Sequence, residues 1–412
     1  MKTLHITNAW HERSGGIATF YKALFTSAER RGQSIRLVAP GEESRVEDWN
    51  AFVRVYYVRS PRAPFDGNYR LLLPQRYLWR GGELARILQA ERPDLVEICD
   101  KWSVSYLAGL LRRGWAPSVS FRPTVVGISH ERMDVNWRTY FGSSASGDWF
   151  CGWYMKWLYF PMFDHHIANS EHTAEELRMA SRGHDVARGV WIRPMGVESS
   201  LFHPGRRNRV DPAPLLLYVG RLAPEKNLHL LWDAVERLHR AGPKFRFQVA
   251  GDGPLRGELQ AAAEQRMPGR VEFLGHLAGR EQLADLMANA DVFLHANPAE
   301  PFGIAPLEAM ASGVPLVCPR TGGVRSYANE ENAWLTETTP EAYASSIGDV
   351  LEGGPRRDAR VAAARATAEA FDWSQVADAY LDLYAEMHAH RSGAKGEFAM
   401  APDFMSTAAG GW

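Results

Sequence analysis

The sequence predicts an α/β protein made of two Rossmann-like domains, each a doubly wound parallel sheet. Three observations carry that prediction. The chain opens with a strand, a glycine turn, a helix and a second strand, which is a βαβ unit. Strand-like runs then alternate with helix-like stretches to about residue 170. After a Pro/Gly/Arg-rich stretch the alternation restarts and repeats the same build. With 412 residues there is room for two or three separate cores.

The elements follow in order. Leu4-His5-Ile6-Thr7 reads as the first strand. His11 to Gly16 is a polar turn, and Ile17 to Arg31 has helical periodicity ended by Gly32. Ile35 to Ala39, Val53 to Val58, Asp94 to Ile98 and Thr124 to Ser129 are the next strands. His166 to Ser170 closes the series, with a helix starting near Glu171. Residues 193–209 read as a linker, which sets domains at 1–205 and 206–373. Beyond it, Leu215 to Val219, Phe245 to Ala250, Val271 to Leu274 and Asp291 to His295 are strands. Helices from Leu228, Leu255 and Arg280 separate them, and a further helix is expected from about Pro306. Residues 374–390 show one apolar face, with Val376, Tyr380, Leu383, Tyr384 and Met387. The Gly/Ala/Ser-rich tail 391–412 is expected to be disordered.

Composition excludes several classes. The net charge of −1 gives no footprint for nucleic acid. Residues 1–200 carry 26 basic against 21 acidic side chains, a mild excess that suits contact with an anionic membrane. The three cysteines, Cys99, Cys151 and Cys318, are far apart, which argues against a disulfide framework or a zinc site. No apolar run reaches the roughly 18 residues that span a bilayer. No signal-peptide core follows Met1. The expectation is a cytoplasmic protein, at most peripheral to the inner face of a membrane.

Ligands of doubly wound sheets bind at the carboxyl ends of the strands, so two such sheets are expected to bound a cleft. Chemistry-bearing residues fall at those ends. Arg221 and Lys226 flank a loop after the Leu215 to Val219 strand, where two cations can clamp a diphosphate. Glu300 and Glu308 bracket Gly303 and a helix start. The free N–H groups there favour phosphate, and the carboxylates suit the hydroxyls of a sugar and a ribose. Gly15-Gly16 opens the first helix, either as a phosphate approach or as an ordinary turn. Gly251-Asp252-Gly253-Pro254 reads as a structural turn or a ligand contact. His130 ends the Ile128-Ser129 strand at the cleft edge. His165 and His166 read as structural. Residues 148–163 are dense in aromatics; a packing helix is the first reading, a membrane-facing or acceptor-binding helix the second. No Asp-x-Asp, metal-spaced His/Cys cluster, P-loop or Gly-x-Ser-x-Gly occurs.

These motifs resemble the retaining glycosyltransferases of family 4, which have the GT-B fold. Gly220-Arg221-Leu222 with Glu225-Lys226-Asn227, then Gly251-Asp252-Gly253-Pro254, then Glu300-Pro301-Phe302-Gly303-Ile304 through Glu308 to Pro315 stand in the family's order. Gly15-Gly16, His130 and Asn169-Ser170 agree in the first half, so the resemblance covers about residues 1–390. It implies that Arg221 and Lys226 bind the donor diphosphate. Phe302, Gly303 and Ile304 would present N–H groups to it, and Gly15 and Gly16 would approach it from the other domain. Glu300 would hold the donor sugar, Glu308 the ribose, and His130 would line the reaction centre. The final helix would cross back to the first domain. No cofactor and no metal are implied beyond a UDP- or GDP-linked sugar as co-substrate.

The expected activity is therefore transfer of a hexose to a lipid, lipid-linked or polysaccharide hydroxyl. Residues 58–74 look somewhat like those of members that glycosylate lipids at a membrane. A nucleotide-sugar epimerase of the same fold and a non-catalytic nucleotide-sugar-binding protein are the alternatives.

Overall fold

In the computed structural model the chain divides into two compact units, Met1–Pro194 with Ser374–Trp412, and Met195–Trp373. The structure describes all residues except 12–14, 64–68, 185–188, 278 and 394–412.

The first unit is built on β1 (Lys2–Thr7), β2 (Ser34–Gly41), β3 (Arg45–Asp48), β4 (Val53–Arg59), β5 (Leu95–Cys99), β6 (Thr124–Ser129), β7 (His165–Ala168) and β8 (Val190–Ile192). They form one sheet in the order β3-β4-β2-β1-β5-β6-β7-β8. Only β3 runs antiparallel, against β4. The neighbouring strands β6 and β7 are buried along their whole length, polar Thr124, Ser129, His165 and His166 included. His165 and His166 lie inside β7 and are buried. The helix Gly16–Arg31 stops at Gly32, whose left-handed φ of 63° turns its N–H back to Ala28 and Glu29.

The last helix, Trp373–Gly393, packs into this unit almost entirely. Tyr380, Leu383, Tyr384 and Met387 are fully buried, as the apolar stripe requires. Its anchor is Glu97 on β5. That buried carboxylate accepts from the Tyr384 hydroxyl and from Tyr21 at 3.3 Å, with His5 Nδ1 2.9 Å away. Residues 391–393, expected in a disordered tail, are helical. The remainder of that tail, 394–412, lies outside the described residues.

The aromatic stretch is helical throughout: Ala145–Tyr154, one π turn at Met155–Tyr159, and a tight turn at Phe160–Met162. Cys151, Tyr154, Met155, Tyr159 and Phe160 enter the core. Trp149, Trp153 and Trp157 are exposed. The packing reading therefore holds for one face only.

The second unit carries β9 (Leu215–Val219), β10 (Arg246–Ala250), β11 (Val271–Gly275), β12 (Val292–Leu294), β13 (Leu316–Pro319) and β14 (Trp334–Thr336). Its order is β11-β10-β9-β12-β13-β14, all parallel. Residues 195–205, expected to end the first domain, belong here instead. Val197 bridges Asp372, giving its N–H to Phe371 and accepting from Trp373. Arg365 then holds the carbonyl of Phe202 at 2.6 Å, and Phe202 is fully buried. Pro, Gly and Arg content marks 193–209 as a linker, but the tertiary partners of 195–205 lie far along the chain. Among the described residues, no helix is long and apolar enough to cross a membrane.

Candidate active site

The strand order of the second unit reverses direction between β9 and β12, the neighbours at its centre. A crevice opens beyond the carboxyl ends of such strands. The loops leaving β9 and β12 carry the candidate residues. After β9 the chain makes a tight turn at Pro224–Lys226 and ends it at Asn227, in left-handed geometry with φ 53°. Asn227 Nδ2 donates to the Ala296 carbonyl at 3.2 Å, which ties the two loops together.

Lys226 and Glu300 meet there. Lys226 Nζ donates to Glu300 Oε2 at 2.8 Å and Oε1 at 3.1 Å. Asn297 Nδ2 donates to Oε2 at 3.0 Å, and His295 Nε2 lies 3.7 Å from the same oxygen. Burial pushes the Glu300 carboxyl up, but Lys226, His295 and Asn297 outweigh it and hold the pKa at about 2. Burial pulls His295 down to about 4, so its ring is neutral at neutral pH. Glu300 is thus a buried carboxylate whose charge one lysine balances.

Three residues on, Gly303 adopts φ 86°, where a side chain is strained, and a Cβ would sit 2.9 Å from the Tyr327 hydroxyl. That hydroxyl donates to the carbonyls of Phe302 at 3.1 Å and Gly303 at 2.5 Å. The helix Ile304–Ala311 starts two residues before the expected Pro306. Proline is tolerated in a first turn because its missing N–H has no partner within the helix there. Glu308 is buried on this helix with Arg280 Nη2 3.3 Å away. Burial raises its pKa to about 7, against the pull of Arg280. Arg280 also faces Glu198 at 3.5 Å and lies over the Phe202 ring.

Arg221 is exposed on the Lys226 loop. The Gly251 turn is structural: a Cβ there would lie 1.9 Å from the Gly220 carbonyl oxygen, so glycine lets the β9 and β10 loops touch.

The remaining candidates lie in the first unit. His130 follows β6, edge-on to Phe20 at 5.5 Å. Both its ring nitrogens are buried, with no hydrogen-bond partner among the described residues. Burial pulls its pKa down to about 4; the Glu97 charge opposes that and the smaller effect of Lys101 adds to it. Lys101 Nζ fixes the turn, donating to the Glu131 carbonyl at 2.5 Å and to Glu176 at 2.6 Å. Gly15 precedes the helix that Gly16 begins, and a Cβ on it would meet nothing within 4 Å. Neither packing nor backbone geometry demands glycine at Gly15.

The structure thus gathers Lys226, Glu300, Phe302, Gly303 and Ile304 in one loop cluster and sets Glu308 on the adjoining helix. His295, Asn297, Arg280 and Tyr327 were not singled out from the sequence. Asn297 had a signal, an Asn-Pro turn at a strand end. Arg280 had none.

Comparison with known proteins agrees. Residues 202–367 match the family described as Glycosyl transferases group 1, and residues 14–190 match Glycosyltransferase Family 4. The chain is 29% identical over 394 residues to a GDP-mannose-dependent alpha-(1-6)-phosphatidylinositol dimannoside mannosyltransferase of Mycobacterium tuberculosis. That alignment covers 92% of this chain and 95% of the relative. A second protein of that organism, a GDP-mannose-dependent alpha-mannosyltransferase, is 28% identical over 92% of this chain and 94% of its own. In fold the chain is similar to sucrose-phosphate synthase of Thermosynechococcus elongatus, with TM-score 0.73 and 19% identity over 94% of this chain and 99% of that one. It is also similar to an Anabaena protein solved with UDP-glucose, with TM-score 0.68 and 17% identity over 94% and 100% of the two chains. With two family matches in register with its two units, the chain belongs to glycosyltransferase family 4 and has the GT-B fold.

Proposed function

We propose that this glycosyltransferase transfers mannose from GDP-mannose to a lipid or lipid-linked hydroxyl, with retention of configuration. The observation that carries the donor half is the Lys226–Glu300–Asn297 cluster at the carboxyl ends of β9 and β12. The choice of GDP-mannose rests on the two mycobacterial relatives, and that of a lipid acceptor on the phosphatidylinositol dimannoside enzyme alone; both likenesses run nearly end to end.

In this reading Glu300 accepts hydrogen bonds from the donor sugar. Lys226 turns from Glu300 toward the diphosphate, joined by Arg221, and Phe302, Gly303 and Ile304 offer their N–H groups. Gly15 and Gly16 leave a helix start bare for the same phosphates. Glu308 takes the ribose hydroxyls. As the anomeric bond breaks, positive charge spreads over the sugar ring and negative charge collects on the leaving phosphate. The repositioned Lys226, Arg221 and the N–H dipoles stabilise that phosphate. The acceptor oxygen attacks from the face the phosphate leaves, and its proton passes to the departing phosphate oxygen. His130, neutral at neutral pH, serves as a hydrogen-bonding group for the transferred sugar. The chemistry needs no cofactor and no metal.

A panel of UDP- and GDP-sugars ranked by thermal shift, followed by transfer assays, tests the reading. GDP-mannose at 100 times its dissociation constant stabilises the fold by about 2.7 kcal/mol. The anomeric configuration of the product decides retention. Stabilisation by UDP-sugars alone overturns the donor assignment, and activity lost in EDTA and restored by Mg²⁺ overturns metal independence. An epimer formed without acceptor supports the epimerase alternative.

A further inference from the structure

We propose that the face carrying Trp149, Trp153 and Trp157 seats the first unit on a bilayer that contains anionic lipids. The three side chains recur every four residues along a continuous helical run and are 68%, 39% and 57% exposed. Trp149 and Trp153 stack at 6.3 Å. The aromatic surface continues through Phe150 and Trp137 to Phe141, itself 74% exposed. The opposite face of the same run fills the core, so helix stability does not account for the outward tryptophans. A contiguous exposed patch of this kind marks an interaction surface.

The chemistry selects the occupant. Tryptophan pairs a large apolar ring with an N–H, which suits the headgroup level of a bilayer. The charges at the edge are complementary to lipid phosphate. Lys156 Nζ lies 5.1 Å above the Trp157 ring and beside Gly183, where Arg182 is exposed. Among the described residues neither Lys156 nor Arg182 has a carboxylate partner, whereas Asp148 is taken by Arg138 at 2.8 Å and Glu171 by Arg178. The unbalanced charge beside the patch is therefore positive, and cations near an anionic leaflet add to apolar insertion. This inference stands apart from the donor reading, because docking needs neither nucleotide nor turnover.

The test uses the full chain and vesicles of phosphatidylcholine, with and without phosphatidylglycerol, and no donor or acceptor. The wild-type protein sediments with the phosphatidylglycerol vesicles, less so at high salt, and brominated lipid quenches its tryptophan emission. The triple variant Trp149→Ser/Trp153→Ser/Trp157→Ser keeps its melting temperature and partitions roughly a hundredfold less. Lys156→Gln alone weakens binding to the anionic vesicles by about fivefold. Where the triple variant does not fold, Trp149→Ser, the most exposed of the three, is read instead. No binding by the wild type overturns the proposal, as does equal binding by the variant. A wild-type dimer that the triple variant makes monomeric also overturns it, because the occupant is then a second copy of the chain.

Discussion

Lys226 Nζ sits 2.8 Å from one carboxylate oxygen of Glu300 and 3.1 Å from the other, on loops that leave two neighbouring strands. Each residue neutralises the other. Replacing either has a different consequence for stability and for transfer.

Lys226→Met leaves Glu300 buried without its cation. Stability should fall by about 1–3 kcal/mol, less than the roughly 3–5 kcal/mol of a fully buried pair because Lys226 is partly exposed. Transfer should fall by roughly 10²–10³-fold. Glu300→Gln removes the charge, so urea unfolding should change less while transfer is lost to a similar extent. Wild-type turnover in either variant removes that residue from the donor site.

His295 gives the unfolding equilibrium a predictable pH dependence. Its pKa is about 4 in the fold, held down by burial, against an ordinary value of 6.5. Between those values the unfolded chain binds the extra proton. The contribution is complete above pH 6.5 and is lost as pH falls toward 4, by at most about 3 kcal/mol. His130 and His165 are depressed to the same level and act in the same direction. Glu300, lowered from 4.5 to about 2, extends the loss below pH 4.5. Urea midpoints from pH 7 to 4 should decline, and His295→Gln should flatten the slope.

Glu308 titrates near pH 7, raised by burial and restrained by Arg280. In its proposed role the ionised carboxylate accepts from both ribose hydroxyls, so nucleotide affinity should rise with pH through that value. Arg280→Leu removes the restraint and should move the midpoint to higher pH. Nucleotide binding by calorimetry from pH 6 to 8.5 measures it. An unmoved midpoint in the variant means that the titration belongs to another group.

Tyr327 holds the backbone just ahead of the helix Ile304–Ala311 through two carbonyls. Tyr327→Phe should cost about 1 kcal/mol of stability. It should raise the KM for donor more than it lowers kcat, because the ring stays and only the loop tether goes. A melting curve with initial-rate kinetics separates the two effects.

The alternation of strands and helices was legible because buried parallel strands are apolar on both faces, as in Leu215–Val219. β3, Arg45–Asp48, is charged and lies at the sheet edge, so hydrophobicity carries no trace of it. Glu300 and Lys226 were legible singly, as residues at strand ends. Their direct pairing spans 74 positions and rests on the strand order β9-β12. Arg280 facing Glu308 depends on packing between two helices and leaves no local mark. The split character of residues 148–163 has a related cause. Tryptophan and tyrosine look alike in composition, and only the helix phase decides which ring meets water.

The bridge between Val197 and Asp372 joins the two places where the chain enters and leaves the second unit. That unit is therefore a continuous insertion whose ends emerge side by side. A segment closed in this way is a cassette: it can be cut out, expressed alone or set into another host without leaving its own ends stretched apart. Residues 195–373, produced as a separate protein, should retain the loops after β9 and β12 in their folded arrangement. On the proposed donor role of those loops, exchange of such cassettes between relatives should alter the donor while the first unit is kept.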